Sequence, residues 1–247
     1  MTGTVPTGQV LADDFRILRQ IGFGGYARVY LAEQLSVGRR KVAIKILHAV
    51  HVQEFGEAAI ADLKREASYL AMLRSPCFPR VLRTGITPDG RPYFVMEYVA
   101  GRNLETQVRE SGPLGIDRAV AVLEDVCEGL TEMHSRDILH RDLKPGNVVV
   151  EDIPGGGWRA NLLDLGSAKP IYEPDPPPET GKSLEKGSPP YLAPEIATTG
   201  RFSERTDIYG LGTIAYEILA GIRALHLTDT SPESFVRYLK GDGPIPT

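Results

Sequence analysis

An α+β chain, with an N-terminal antiparallel β-sheet that carries one helix and a mainly helical C-terminal part, is the fold class this sequence predicts. Three observations predict it. Strand-like apolar runs crowd the first hundred residues, at Phe15–Ile21, Val29–Ala32, Lys41–Leu47, Val81–Leu82 and Pro92–Met96, and a single helical stripe interrupts them. From Asp117 onward the apolar period becomes 3.6, first over Asp117–Arg136 and again from Thr206. At 247 residues the chain can form one large domain or two modest lobes sharing a cleft.

Composition narrows the class. Hydrophobic residues make up 42% and charged residues 24%, so a packed core is expected. A net charge of −4 gives no broad attraction to nucleic acid or anionic lipid, and the basic run Gly38–Lys41 reads as a solvated turn. Cys77 and Cys127 are the only cysteines and lack a paired metal or redox spacing, which fits buried or indifferent thiols in a reducing, cytoplasmic setting. His48 and His51 have no neighbouring ligands and read as surface residues. Met1–Val10 carries no secretory pattern. Ile208–Ile222, the longest near-apolar segment, contains Glu217 and falls short of the roughly 18 residues a spanning helix needs. No membrane segment is therefore expected in this chain, and an anchor beyond its end is left open.

Taken in order, residues 1–12 are small and polar and are expected to form a flexible leader. Phe15–Ile21 and Val29–Ala32 are joined by Gly22-Phe23-Gly24-Gly25, a turn whose backbone N–H groups can approach phosphates because glycine lacks a Cβ. Because it joins strand to strand, it is not a dinucleotide-binding turn. In Lys41–Leu47, Val42, Ile44 and Ile46 alternate with Ala43, Lys45 and Leu47, so Lys45 lies mid-strand among apolar neighbours and calls for an anion. Ala59, Leu63, Glu66, Leu70 and Leu73 form one stripe of a helix from about Phe55 to Arg74. Glu66 inside that stripe needs a cation, and Asp62, one turn earlier, is its rival as the partner of Lys45. Thr87-Pro88-Asp89-Gly90 turns one strand into the next, and Glu97–Gly101 ends it. Between apolar runs, Leu139–Gly166 then carries Asp142, Lys144, Asn147 and Asp164: one base, one cation and two metal-binding oxygens on loops held by strands.

His140-Arg141-Asp142-Leu143, with Asn147 four residues on and Asp164-Leu165-Gly166 beyond it, resembles the catalytic half of the protein kinase family. Val42-Ala43-Ile44-Lys45, the glycine-rich turn and Ala193-Pro194-Glu195 extend the resemblance over about residues 13–247, in the compact Gly/Pro-rich form of bacterial eukaryotic-like kinases. It implies a bilobal kinase fold: an N-lobe at 13–96, a hinge at 97–101 and a C-lobe at 102–247 that lacks its last helices. It implies ATP and Mg²⁺ as cofactors, with Lys45 on the α/β-phosphates, Glu66 as its ion-pair partner, and Asn147 and Asp164 as the metal ligands. Ile21, Gly22, Gly24, Val29, Ala43, Met96, Glu97 and Val99 would surround the nucleotide. Asp142 would accept the substrate hydroxyl proton, and Lys144, two residues on, marks the Ser/Thr rather than the Tyr form. Two departures from the family are Ala27 at its third glycine and Leu165 at its usual phenylalanine.

The same resemblance makes the Pro- and charge-rich stretch from Ser167 to Ser188 the activation loop, with Thr180 and Ser183 as candidate phosphosites and Arg141 as the receiver of a phosphate. Gly187–Tyr191 would shelve the substrate residue after the phosphoacceptor. Asp207 would bond the catalytic-loop backbone, and a further helix is expected near Ser231–Lys240. The expected function is a Ser/Thr protein kinase acting on protein hydroxyls, with self-association for trans-autophosphorylation as a compatible partner mode. The alternatives are a nucleotide-binding pseudokinase scaffold and a small-molecule phosphotransferase.

Overall fold

Alternating apolar positions build the first sheet. The computed structural model describes residues 4–173 and 188–225, and the chain forms two compact units, Met1–Arg74 with Phe78–Val99, and Ser75–Cys77 with Ala100–Thr247. In the first unit, β1 (Val10–Leu11), β2 (Phe15–Phe23), β3 (Ala27–Gln34), β4 (Arg40–Leu47), β5 (Val81–Ile86) and β6 (Pro92–Glu97) pair antiparallel in the order β1-β2-β3-β4-β6-β5. Phe15, Ile17, Tyr30, Ala32, Val42, Ile44, Ile46, Tyr93 and Val95 form one apolar cluster. Ala43, Lys45 and Leu47 face the other way, as the period of two requires.

One expectation is corrected. Residues 4–12 are not a loose leader: β1 pairs with β2, Leu11 is 1% exposed, Val5 joins the same cluster, and its N–H donates to Tyr30 Oη at 3.1 Å. Two apolar side chains spaced among polar ones are enough to cover a sheet end, although they make no periodic signal. The helix expected from about Phe55 to Arg74 is α2 (Glu57–Met72), and a further short helix, α1 (Ala49–Phe55), precedes it, the two meeting at Gly56 with φ 52°. α1 buries no residue, so it leaves no amphipathic stripe to read. α2 buries Ala59, Leu63, Glu66, Ala67, Tyr69 and Leu70.

In the second unit, β7 (Arg102–Asn103) leads into α3 (Leu104–Ser111), a helix without a readable apolar stripe because only Leu104 and Val108 are buried along it. Its start is fixed by Asn103, whose side-chain oxygen accepts from the Thr106 N–H at 2.8 Å. Gly101 is needed just before it, since a Cβ there would run into the Val150 carbonyl. α4 (Ile116–His134) buries Ala119, Val122, Val126, Leu130 and Met133 along one face. Next come β8 (Ile138–Leu139), the hairpin of β9 (Val148–Asp152) and β10 (Trp158–Leu162), and β11 (Lys169–Pro170), which pairs with β8. Gly155, Gly156 and Gly157, all at positive φ, make the turn of the β9–β10 hairpin. α5 (Pro194–Thr199) and α6 (Glu204–Ala220) close the described part, α6 beginning in a capping box between Ser203 and Thr206. Among the described residues no helix is long and apolar enough to cross a membrane. Thr180, Ser183, Gly187 and the helix expected at Ser231–Lys240 lie outside the described residues.

Two measurements check this packing. Leu11→Ala is expected to cost about 2–4 kcal/mol by chemical denaturation, where truncation in a solvated leader would cost nothing. Cys77 is buried, and burial pushes its thiol up to about 12, whereas Cys127 is exposed. Native alkylation followed by mass spectrometry should therefore add one label, on Cys127, and denaturation should admit a second.

Candidate active site

The first unit contributes an ion pair and a turn. β4 places Lys45 between Val29 of β3 and Phe94 of β6, and its Nζ donates to Glu66 Oε1 at 2.7 Å and Oε2 at 2.9 Å. Glu66 is 4% exposed, so each charge offsets the desolvation of the other. Asp62, the rival partner, stands largely in solvent and meets Arg65 at 3.4 Å. One helical turn separates the two acids and decides which of them reaches the strand.

At the glycine-rich turn, the Gly24 N–H donates to the Ala27 carbonyl at 3.0 Å. A Cβ at Gly22 would stand 3.3 Å from Val29 Cβ, so that position is tight. Ala27, where the family has its third glycine, is buried and pairs with Leu47, so its methyl has a place in the sheet. Ala43 and Met96 are buried and face each other across β4 and β6, while Val29 is half-buried and Ile21 lies at the exposed edge. The Glu97 N–H is engaged by the Arg80 carbonyl at 3.0 Å. Val99 ends this unit beyond the last strand.

The second unit holds the acid, its cation and both oxygen donors on one scaffold. The buried Asp207, in the first turn of α6, accepts the N–H of His140 and the N–H of Arg141, each at 2.9 Å, and lies 2.9 Å from His134 Nε2. These bonds fix the loop after β8 in a conformation that Arg141 adopts at φ 69°, a region disfavoured for a residue with a Cβ. Asp142 Oδ2 then accepts from Lys144 Nζ at 2.7 Å and Asn147 Nδ2 at 3.2 Å. Asn147 Nδ2 also donates to the Asp142 carbonyl at 2.8 Å, and Lys144 Nζ to Ser188 Oγ at 2.7 Å. With its amide nitrogen held by Asp142, the side-chain oxygen of Asn147 is the atom available to a cation. The Leu163 N–H donates to the Asn147 carbonyl at 2.8 Å and so ties the next segment to the loop. There Asp164 takes φ 72°, its Oδ1 accepts the Gly166 N–H at 3.2 Å, and Leu165 is buried.

Around this loop are partners that the sequence did not disclose. The Arg141 guanidinium lies 4.9 Å from the centre of the Phe202 ring and donates to the carbonyls of Pro170 and Glu173 at 3.5 and 3.4 Å. Tyr191 donates to Glu217 Oε2 at 2.9 Å; burial and the adjacent carboxylate push its phenol up, and burial raises Glu217. Arg141, Asp142, Ser188, Tyr191, Ile196 and Phe202 line a small cavity. His134, Phe202 and Glu217 lie tens of residues from their partners, and no local spacing could have joined them.

The chain belongs to the protein kinase family: the protein kinase domain matches residues 15–238. It is 38% identical over 244 residues to the serine/threonine-protein kinase pkn2 of Myxococcus xanthus, covering 98% of this chain and 28% of that protein. It is 34% identical over 244 residues to the serine/threonine-protein kinase PknB of Mycobacterium tuberculosis, covering 96% of this chain and 37% of that protein. Against pkn3 of Myxococcus xanthus the identity is 32% over 241 residues, covering 97% of this chain and 43% of that protein. The chain thus spans less than half the length of each of these relatives. The bilobal kinase fold is the fold of this family, which generally uses ATP and Mg²⁺ and acts on protein substrates.

Asp207→Ala strips the acceptor from two backbone N–H groups and should destabilise the second unit by on the order of 3 kcal/mol in denaturant titration. Asp207→Asn, which keeps one oxygen acceptor, should lose less.

Proposed function

We propose that the chain is the catalytic domain of a Ser/Thr protein kinase, transferring the γ-phosphoryl group of ATP to Ser and Thr hydroxyls of protein substrates. The observation that carries this is the Asp142 carboxylate bracketed by Lys144 and Asn147, with Lys144 also reaching Ser188. A carboxylate held on one oxygen keeps the other, Oδ1, directed by that grip, and it suits the task of orienting a hydroxyl and accepting its proton. Lys144 supplies positive charge beside the same carboxylate, where charge on a transferring phosphoryl would be met. Lys45, held by Glu66, is the cation for the α- and β-phosphates, and the glycine-rich turn offers backbone N–H groups.

Asn147 and Asp164 would hold Mg²⁺. Both offer hard oxygen donors, and the engagement of Asn147 Nδ2 by Asp142 directs its oxygen to that role. When bound, the ion neutralises charge on the phosphates. Ala43 and Met96 would pack on the adenine, with Ile21, Gly22, Gly24, Val29, Glu97 and Val99 around it. Residues 13–96, 97–101 and 102–247 are taken as N-lobe, hinge and C-lobe. Thr180 and Ser183 are the proposed phosphosites, reached by trans-autophosphorylation between two copies, and a cytoplasmic setting fits an ATP-consuming domain. A small-molecule phosphotransferase is disfavoured by Ser188, which Lys144 holds beside Asp142 where a peptide would lie.

Incubation with ATP, Mg²⁺ and a generic Ser/Thr protein substrate should incorporate phosphate on Ser and Thr. Asp142→Ala should lower the rate at least 10²-fold, as loss of a positioned base does. Incorporation that is absent, or equal in the variant, rejects the proposal, and transfer to a small molecule alone favours the phosphotransferase. Lys45→Met and Glu66→Gln should each reduce kcat/KM by on the order of 10²-fold, with the loss expressed in ATP dependence rather than in peptide affinity.

A further inference from the structure

From the sequence His48 and His51 read as surface residues without neighbouring ligands. In the structure His48 follows β4 directly, three residues after Lys45, and meets the glycine-rich turn twice. Its N–H donates to the Tyr26 carbonyl at 2.8 Å, and its ring Nε2 lies 2.8 Å from the Gly24 carbonyl. A carbonyl only accepts, so Nε2 carries the proton in this contact. The Phe23 ring stands 5.3 Å from the His48 ring, with the Arg28 guanidinium 5.2 Å from the Phe23 centre. One helical turn on, His51 lies 4.7 Å from the Tyr26 ring and 4.6 Å from Phe55. Burial lowers the pKa of His51, which favours the neutral ring in that stack.

Phe23 and Tyr26 are 70% and 56% exposed, and a solvent-exposed glycine turn has little packing of its own to hold it. Gly25 has nothing within 4 Å of where a Cβ would stand. Beyond the Gly24–Ala27 bond within it, the turn is restrained by this seam with the start of α1. Glycine gives the turn its reach, and α1 returns the order that glycine removes.

We propose that His48 is a positioning residue for the glycine-rich turn: its Nε2–H bond to the Gly24 carbonyl and its contact with Phe23 hold the turn's tip against α1, pre-ordering the backbone N–H groups for nucleotide phosphates. The nucleotide part rests on the kinase function proposed above. The restraint itself does not. Holding a phosphate-binding turn in place before the ligand arrives removes an ordering cost from binding, so its loss appears in nucleotide affinity more than in turnover.

The test uses the full 247-residue chain as wild type, His48→Ala, His48→Gln and Phe23→Ala. Amide hydrogen exchange over residues 22–28 without nucleotide reads the restraint, and the Kd and KM for Mg-ATP read its use. His48→Ala should speed exchange in that segment, and raise both the Kd and the KM for ATP, by about three- to tenfold with kcat changed less, the size of one lost hydrogen bond. His48→Gln, which offers an N–H donor at a similar reach, should recover most of both effects. Phe23→Ala, at an exposed site that folding tolerates, should loosen the same segment. Exchange over 22–28 unchanged in both His48→Ala and Phe23→Ala overturns the proposal, as does an ATP affinity equal to wild type despite faster exchange. A wild-type chain that neither binds nor turns over ATP rejects the kinase function instead, while the exchange comparison still decides the restraint.

Discussion

A single buried carboxylate sets the geometry on which the second unit's chemistry depends. Asp207 sits at the first turn of α6, where the helix dipole favours negative charge, and each of its oxygens takes one backbone N–H of the loop that carries Asp142. A buried carboxylate must be matched by donors, and two consecutive N–H groups can point at one acid only when the backbone bends sharply. That requirement accounts for the left-handed conformation of Arg141. Everything downstream inherits the bend: Asp142 is presented, Lys144 and Asn147 fold back onto it, and the Asn147 carbonyl catches the Leu163 N–H.

The first unit solves a parallel problem with strands. There a lysine in an apolar strand and a glutamate in an apolar helical stripe are each costly alone and tolerable together. Their match also ties one position of α2 to β4: Glu66 meets Lys45, whereas Asp62, about one turn earlier, lies largely in solvent. In both units, then, a charge that burial makes expensive is converted into a positional constraint.

What was legible in the sequence followed from periodicity and from chemistry at short spacing. The alternation around Lys45, the stripe containing Glu66, the α4 face and the Asp142–Asn147 loop each lie within one element or one turn, where side-chain direction follows from the period. The choice of Glu66 over Asp62 depended on which acid lay inside the apolar stripe. What escaped was either too short or too distant. β1 is two residues long, α3 buries two side chains and α1 none, so none of them writes a repeating pattern. The stack of Arg141 on Phe202, the His134–Asp207 contact and the Tyr191–Glu217 bond join residues that only the fold brings together.

Asp164 illustrates what such a site demands of its own backbone. At φ 72° it occupies a conformation that a Cβ penalises by about 1–2 kcal/mol and that glycine would adopt freely. Part of that cost is returned by the Gly166 N–H, which donates to Asp164 Oδ1, a local hydrogen bond that glycine could not make. A short polar side chain thus makes the left-handed turn tolerable with a carboxylate in place, and the shape of the backbone and the identity of the acid depend on each other.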